Sequence, residues 1–148
     1  MSVYATTTEI QSYFKTQWSL AGRVEEVAYQ GYKDEGLSLS SGVLPWVRLT
    51  RDEGITRQIS LQNKPIDRST GVIMCQCFQR EKTGTAIVEQ MSDVIINMFR
   101  NFKINGASSG LIRSAPAHVP TARIVGIDPK GWFQINVVVD YIRDLRRT

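Results

Sequence analysis

The most regular stretch of the chain runs from Thr85 to Phe102. Apolar residues stand at Ile87, Val88, Met91, Val94, Ile95, Met98, Phe99 and Phe102. That recurrence every three or four positions marks one face of a helix. Glu89, Gln90, Ser92, Asp93, Asn97, Arg100 and Asn101 supply the opposite face. Thr85 is placed to cap the run, and Asn105-Gly106 suits a left-handed stop after it. The stripe predicts a long helix laid across a sheet as the main core element, its Met and Phe residues packing rather than forming a cofactor box.

A second helical run lies near the start. Thr6 and Glu9 have the spacing of a capping box, and Ile10, Tyr13, Phe14, Trp18 and Ala21 follow on one side before Gly22. About four turns are expected, with the aromatics docked on the sheet. Elsewhere the pattern turns to period two. Strands are expected over Val24–Tyr29 and Trp46–Thr50. Arg51-Asp52-Glu53-Gly54 has turn chemistry, so residues 55–61 should return as the second arm of a hairpin. Gly71–Arg80 is apolar on both faces, as in a strand covered on both sides. Residues 103–110 read as a polar loop and 111–120 as a short extended piece. Thr121–Ile127, the turn Asp128-Pro129-Lys130-Gly131 and Trp132–Ile142 form a closing hairpin. The segment GYKDEGLSLSSG at 31–42 has no periodicity and predicts an irregular, mobile loop.

This order predicts an α+β protein. The expected fold is a mainly antiparallel sheet with one long helix packed across it and a shorter N-terminal helix. All of it belongs to a single domain over residues 1–148, with a mobile loop near 31–44 and a short basic C-terminal tail.

Composition narrows function by exclusion. The chain has 148 residues, 42% hydrophobic and 22% charged, which is ordinary for a globular protein. No apolar run approaches a membrane span, and the first residues do not read as a signal peptide, so a cytoplasmic site of synthesis and no membrane partner are expected. Cys75 and Cys77 fall on one face of a strand and are expected to be reduced, buried hydrophobes. The single histidine, His118, sits beside prolines with no acidic neighbour in sequence, so neither a catalytic triad nor a zinc site is expected. No phosphate-binding glycine loop appears, because GASSG at 106–110 follows a helix instead of opening one. No enzymatic activity and no cofactor are therefore expected. The net charge is +4, and all of the excess lies after residue 100, much of it in Arg143, Arg146 and Arg147. Such an end suits phosphate or an acidic protein surface, or is simply solvated. Nucleic-acid binding lacks a recognisable motif.

The element order resembles the tail terminator, or tail-completion, proteins of long-tailed bacteriophages. The resemblance rests on the amphipathic first helix ending near Trp18, the strand into a long loop and Leu44-Pro45-Trp46-Val47-Arg48. It continues through Thr70–Phe78, the Gly84-Thr85 helix start and Gly131–Tyr141. It implies a structural virion protein, assembled in the host cytoplasm, that forms a homo-oligomeric ring, most often a hexamer, at the head-proximal end of the tail. Such a ring ends tube polymerisation and meets the tail tube protein on one side and the head–tail connector on the other. Genome DNA passes through its lumen without sequence-specific binding. The alternatives are a neck or head-completion protein of the same particle, or a small basic nucleic-acid-binding module. The resemblance carries no catalytic residues. Interface candidates follow from expected exposure in loops and at the basic end: Tyr32, Lys33, Asp34, Glu35, Leu37, Arg48, Arg51, Lys64, Arg68, Arg143, Arg146 and Arg147.

Overall fold

The computed structural model describes residues 3–30, 42–61, 63–106, 110–116 and 118–146. Its centre is a pair of long antiparallel strands, β3 (Ile66–Arg80) and β7 (Trp132–Arg146), matched residue for residue from Ile66↔Arg146 to Arg80↔Trp132. On the other side of β3 lies β2 (Trp46–Gln58), and β1 (Glu26–Tyr29) adds to β2 in parallel. The second edge of β7 is shared. Its first half pairs with β6 (Thr121–Ile127), and its second half with β5 (Gly110–Ser114), which carries β4 (Lys103–Gly106) outside it. Among the described residues the sheet thus has seven strands.

Two helices, α1 (Val3–Leu20) and α2 (Ala86–Phe99), bury their apolar stripes on one face of this sheet. Ile10, Phe14 and Trp18 of α1 meet Val88, Met91, Ile95 and Phe99 of α2 over Ile73, Cys75, Cys77, Ile135, Val137 and Val139. The thiols of Cys75 and Cys77 are free and fully buried. Desolvation raises the pKa of Cys75 well above the ordinary thiol value and that of Cys77 to about 12. Among the described residues, no helix is long and apolar enough to cross a membrane.

The expected architecture of one long helix across a mainly antiparallel sheet is overturned. Strands make up 50% of the structure and helices 26%, and the sheet is a mixed, curled half-barrel with two short helices. The helix expected over 85–102 covers fourteen residues, because Asn101 takes a left-handed conformation (φ 54°) and turns the chain into β4. Phe102 and Ile104 continue the apolar pattern past that turn as core residues outside the helix. The N-terminal helix, eighteen residues long, is the longer of the two. Nor does Thr6 cap it: Thr6 lies inside α1, fully buried.

The hairpin turn expected at 51–54 is also absent. β2 runs straight through Arg51-Asp52-Glu53-Gly54, with a register shift between Glu53 and Thr56 taking up the irregularity. Turn-forming residues stay extended here because their side chains have work elsewhere in the fold. Residues 103–106, expected as loop, form β4.

Candidate functional site

Three surfaces of the β2–β3–β7 sheet hold the polar and apolar features that bear on function. The first lies under the start of α1. Alternation along β7 and β2 points Tyr141, Arg143, Arg51 and Glu53 toward the helices. Arg143 is 0% exposed and pairs with Glu53, while its guanidinium donates to Thr6 Oγ1 at 2.7 Å and Ser69 Oγ at 3.1 Å. Arg51 donates to Tyr141 Oη at 2.8 Å and to Thr7 Oγ1 at 2.9 Å. Tyr141 reaches Arg51 by crossing Gly71, where an added Cβ would lie 2.5 Å from the ring. Burial raises the Tyr141 pKa, opposed by the Arg51 contact. This network joins α1, β2, β3 and β7, and satisfies charged groups at a place where the apolar core stops.

The second surface is the sheet face away from the helices. At one end Trp46, Phe78 and Trp132 pack together. Trp46 stacks on Phe78 at 4.3 Å between ring centroids, and Trp132 meets both edge-on. Arg48 lies 5.2 Å over Trp46, and Arg80 lies 4.1 Å over Trp132. A cleft of about 280 Å³ opens beside them. At the other end a cavity of about 470 Å³ lies between the sheet and the segment before β6. There His118 Nδ1 approaches Asp140 Oδ2 at 2.9 Å. Both groups are partly solvated, with His118 57% exposed. The hydroxyl-bearing residues in the lining of that cavity, among the described residues, are Thr70 and Tyr141.

The third surface is apolar and exposed. Beyond Leu49, β2 has no partner on its outer edge among the described strands, and it continues with β3 into an arm that bears Ile55, Ile59 and Leu61, the last 98% exposed. Across the molecule, among the described strands, β6 pairs only with β7 and has no partner on its other edge, where Ile124 (66%), Val125 and Ile127 are exposed. Exposed strand edges flanked by large apolar side chains are sites of chain association.

The interface candidates from the sequence divide accordingly. Tyr32, Lys33, Asp34, Glu35, Leu37 and Arg147 lie outside the described residues, as does most of the expected mobile loop. Lys64, near the tip of the arm, and Arg146, at the end of β7, are exposed. Arg68 is held by Asp144 through two hydrogen bonds of 2.7 and 2.9 Å. Arg48 is half-buried on the aromatics. Arg51 and Arg143 need correcting: neither faces solvent as an interface residue would, because both are drawn into the network under α1. The basic end is no loose tail as far as Arg146, since β7 runs to that residue. Sequence reasoning missed the His118–Asp140 pair, since twenty-two positions separate the two.

No family model and no curated protein matches the chain. Eight chains of solved structures do match it. One of these, which bears no functional name, is 12% identical, covers 98% of this chain and 97% of its own, and has a TM-score of 0.64. At that identity the likeness is one of fold, extending over nearly the whole of both chains.

Proposed function

We propose that the protein is the tail terminator of a long-tailed bacteriophage: a closed ring, most simply of six copies, that ends the tail tube and offers a surface to the head connector. It acts by occupancy, without bond-making chemistry, and genome DNA passes through its lumen. One observation on the molecule supports this reading. A single chain carries two unlike exposed apolar surfaces, the β2–β3 arm and the β6 edge, and a head-to-tail contact needs two such surfaces. If the arm of one copy lies against β6 of the next, each contact leaves one arm and one edge open until the ring closes. The resemblance in element order supports the same role, which implies a position in the virion at the head-proximal end of the tail.

The test uses Leu61→Asp and Ile124→Asp. Each variant should remain a folded monomer by sedimentation, because the substituted side chain is exposed. Mixing the two should restore a dimer, since each retains the surface the other has lost. Wild-type protein should give rings by negative-stain microscopy, and a phage lacking the gene should make tails of uncontrolled length. Normal tails without the protein would refute the terminator reading. Rings from both single variants would refute the assigned contact.

A further inference from the structure

We propose that one end of the sheet face away from the helices binds the phosphate backbone of duplex nucleic acid, without regard to sequence. The starting observation is register. Residues opposite one another in a sheet share a face. Arg57 on β2 lies opposite Arg68 on β3, which lies opposite Asp144 on β7. Arg146 stands two positions beyond Asp144 on the same strand. Ile142, two positions before it, lies opposite Arg113 on β5, which lies opposite Lys103 on β4. Five cations from five strands therefore share the face turned away from Arg143.

Their charges are not balanced locally. Asp144 is the one carboxylate among them: it accepts two hydrogen bonds from Arg68 and has Arg113 at 3.7 Å. Arg57, Lys103 and Arg146 are exposed, with no side-chain hydrogen bond or ion pair among the described residues. Five cations against one carboxylate leave a surplus of four, equal to the net charge of the whole chain. The rest of the sequence is neutral in sum, so the positive field of the molecule originates here. Further along the same face Asp52 and Asp140 flank Val72, reverse the sign and bound the patch.

Spread and composition choose between nucleic acid and protein. From β2 to β4 the patch crosses four strand spacings, about 19 Å. A duplex carries one charge per about 1.7 Å of its axis, so a footprint of that length meets several phosphates. A protein interface is centred instead on large side chains that fill pockets in the partner. The apolar residues interleaved with these charges, Ile66, Leu111 and Ile142, are buried or half-buried and offer no such anchor. Backbone contacts of this kind carry no sequence information. The inference adds to the ring reading the face that meets DNA, but it concerns a single chain and does not rest on ring closure.

The experiment measures the affinity of the full chain for a short duplex of arbitrary sequence, by fluorescence anisotropy, as salt is varied. Three unpaired cations give a slope of about −2.7 in log affinity against log salt, a loss of about fortyfold between 50 and 200 mM. Each of Arg57→Gln, Lys103→Gln and Arg146→Gln should reduce the slope by about 1, and the triple variant should nearly abolish it. The control removes the same charge at the opposite end of the molecule, by Lys82→Gln, Arg123→Gln and Lys130→Gln, all exposed, and should keep the slope. Ile124→Asp, which removes the ring contact and keeps the patch, should also keep it. The proposal is overturned if the duplex fails to bind at 50 mM salt, or if the control lowers the slope as much as the patch triple. It is likewise overturned if poly-L-glutamate competes with the duplex in the triple variant as well as in wild type and binds more tightly, since that surface would then serve acidic protein. Duplex binding through the patch by a chain that forms no rings would uphold this proposal and refute the ring reading. Rings together with an unchanged slope in the patch triple would do the reverse.

Discussion

Arg143 and Arg48 stand on opposite faces of the same sheet and meet opposite conditions. On the helix side, Arg143 is fully buried, and its charge is met by Glu53 with hydroxyls from Thr6 and Ser69. On the other side, Arg48 is half-buried and lies over two aromatic rings, with one guanidinium N–H 3.5 Å from Gln76 Oε1. The first arrangement fixes position: four elements cannot shift relative to one another without uncovering a charge. The second presents a charge with its aliphatic stem sheltered and its head toward a cleft. Strand parity alone decides which role an arginine takes here, and this is why counting basic residues misjudges the C-terminal end.

The largest expected effect comes from cutting the buried network. Arg143→Ala leaves Glu53, which is partly exposed, with Arg51 at 3.5 Å as its remaining cation, and should lower unfolding free energy by up to about 3–5 kcal/mol, the cost of breaking a buried pair by removing one partner. Urea denaturation reads it directly. Were Arg143→Ala to unfold within about 1 kcal/mol of wild type, the distinction between strut and docking group would collapse, and Arg143 would rejoin the interface candidates.

Second in size is an alkaline effect specific to the helix face. The folded pKa of Cys77 is raised to about 12 from an ordinary value of 9.0, and that of Cys75 is raised as well, both by burial. The sign follows from proton counts. Below pH 9 both states keep the thiol proton and stability is constant. Between the unfolded and folded values only the unfolded state has lost it, so stability falls as pH rises. Each thiol contributes a slope of about 1.4 kcal/mol per pH unit in that window. Tyr13 and Tyr141, also raised by burial, add to the fall. Replacing both cysteines by alanine should flatten the curve above pH 9 while lowering its plateau. Native protein should react slowly with thiol reagents and yield two equivalents in denaturant. Fast native labelling would mean that the helix-covered face opens readily.

What could be read in the sequence was local. The stripes of both helices, the paired thiols and the closing hairpin follow from periodicity that neighbouring residues impose on one another. Ile10, Phe14 and Trp18, like Val88, Met91 and Ile95, are buried where their spacing placed them. What escaped was non-local. The turn expected at 51–54 failed because Arg51 and Glu53 find partners ninety positions away, on β7. The spacing predicts a Thr85 cap for α2, but Thr85 makes no capping bond; instead Gln79 Oε1, at the end of β3, accepts the Val88 N–H at 2.9 Å. The sheet's central pair, β3 and β7, could not be ranked above α2, because strand pairing across more than fifty residues leaves no mark on either strand alone. The candidate surfaces divide in the same way. Exposed apolar residues at 55–61 and 121–127 stand in plain view in the sequence, but only the fold shows that both border open strand edges.

On the cleft side, Arg48→Ala should cost about 1–2 kcal/mol, between the values for a cation over an exposed and over a desolvated ring, because Trp46 and Phe78 are buried while Arg48 is half-buried. The Trp46–Phe78 stack persists without it, and solvent replaces the guanidinium. A loss comparable with that of Arg143→Ala would mean that Arg48 is itself a strut.

The smallest effect discriminates most finely, because it compares two arginines three residues apart on one strand. Arg146 ends β7 opposite Ile66 and is exposed, whereas Arg143 is enclosed. Arg146→Glu should change unfolding free energy by no more than about 0.5 kcal/mol, as for surface positions away from special contacts. Its charge acts outward, through solvent, and is screened over about 8 Å at physiological ionic strength. Any consequence for assembly should therefore shrink as salt is added, which a packing defect would not do. Complementation of a phage lacking the gene, scored at low and high salt, separates the two cases. Salt-sensitive loss of joined tails with an unchanged urea midpoint would make Arg146 an electrostatic docking residue. Loss that persists in high salt would show that the end of β7 contributes shape as well as charge. Reversing Arg143 in the same background cannot address the question, because a glutamate facing Glu53 inside the network would unfold the chain before any partner could meet it.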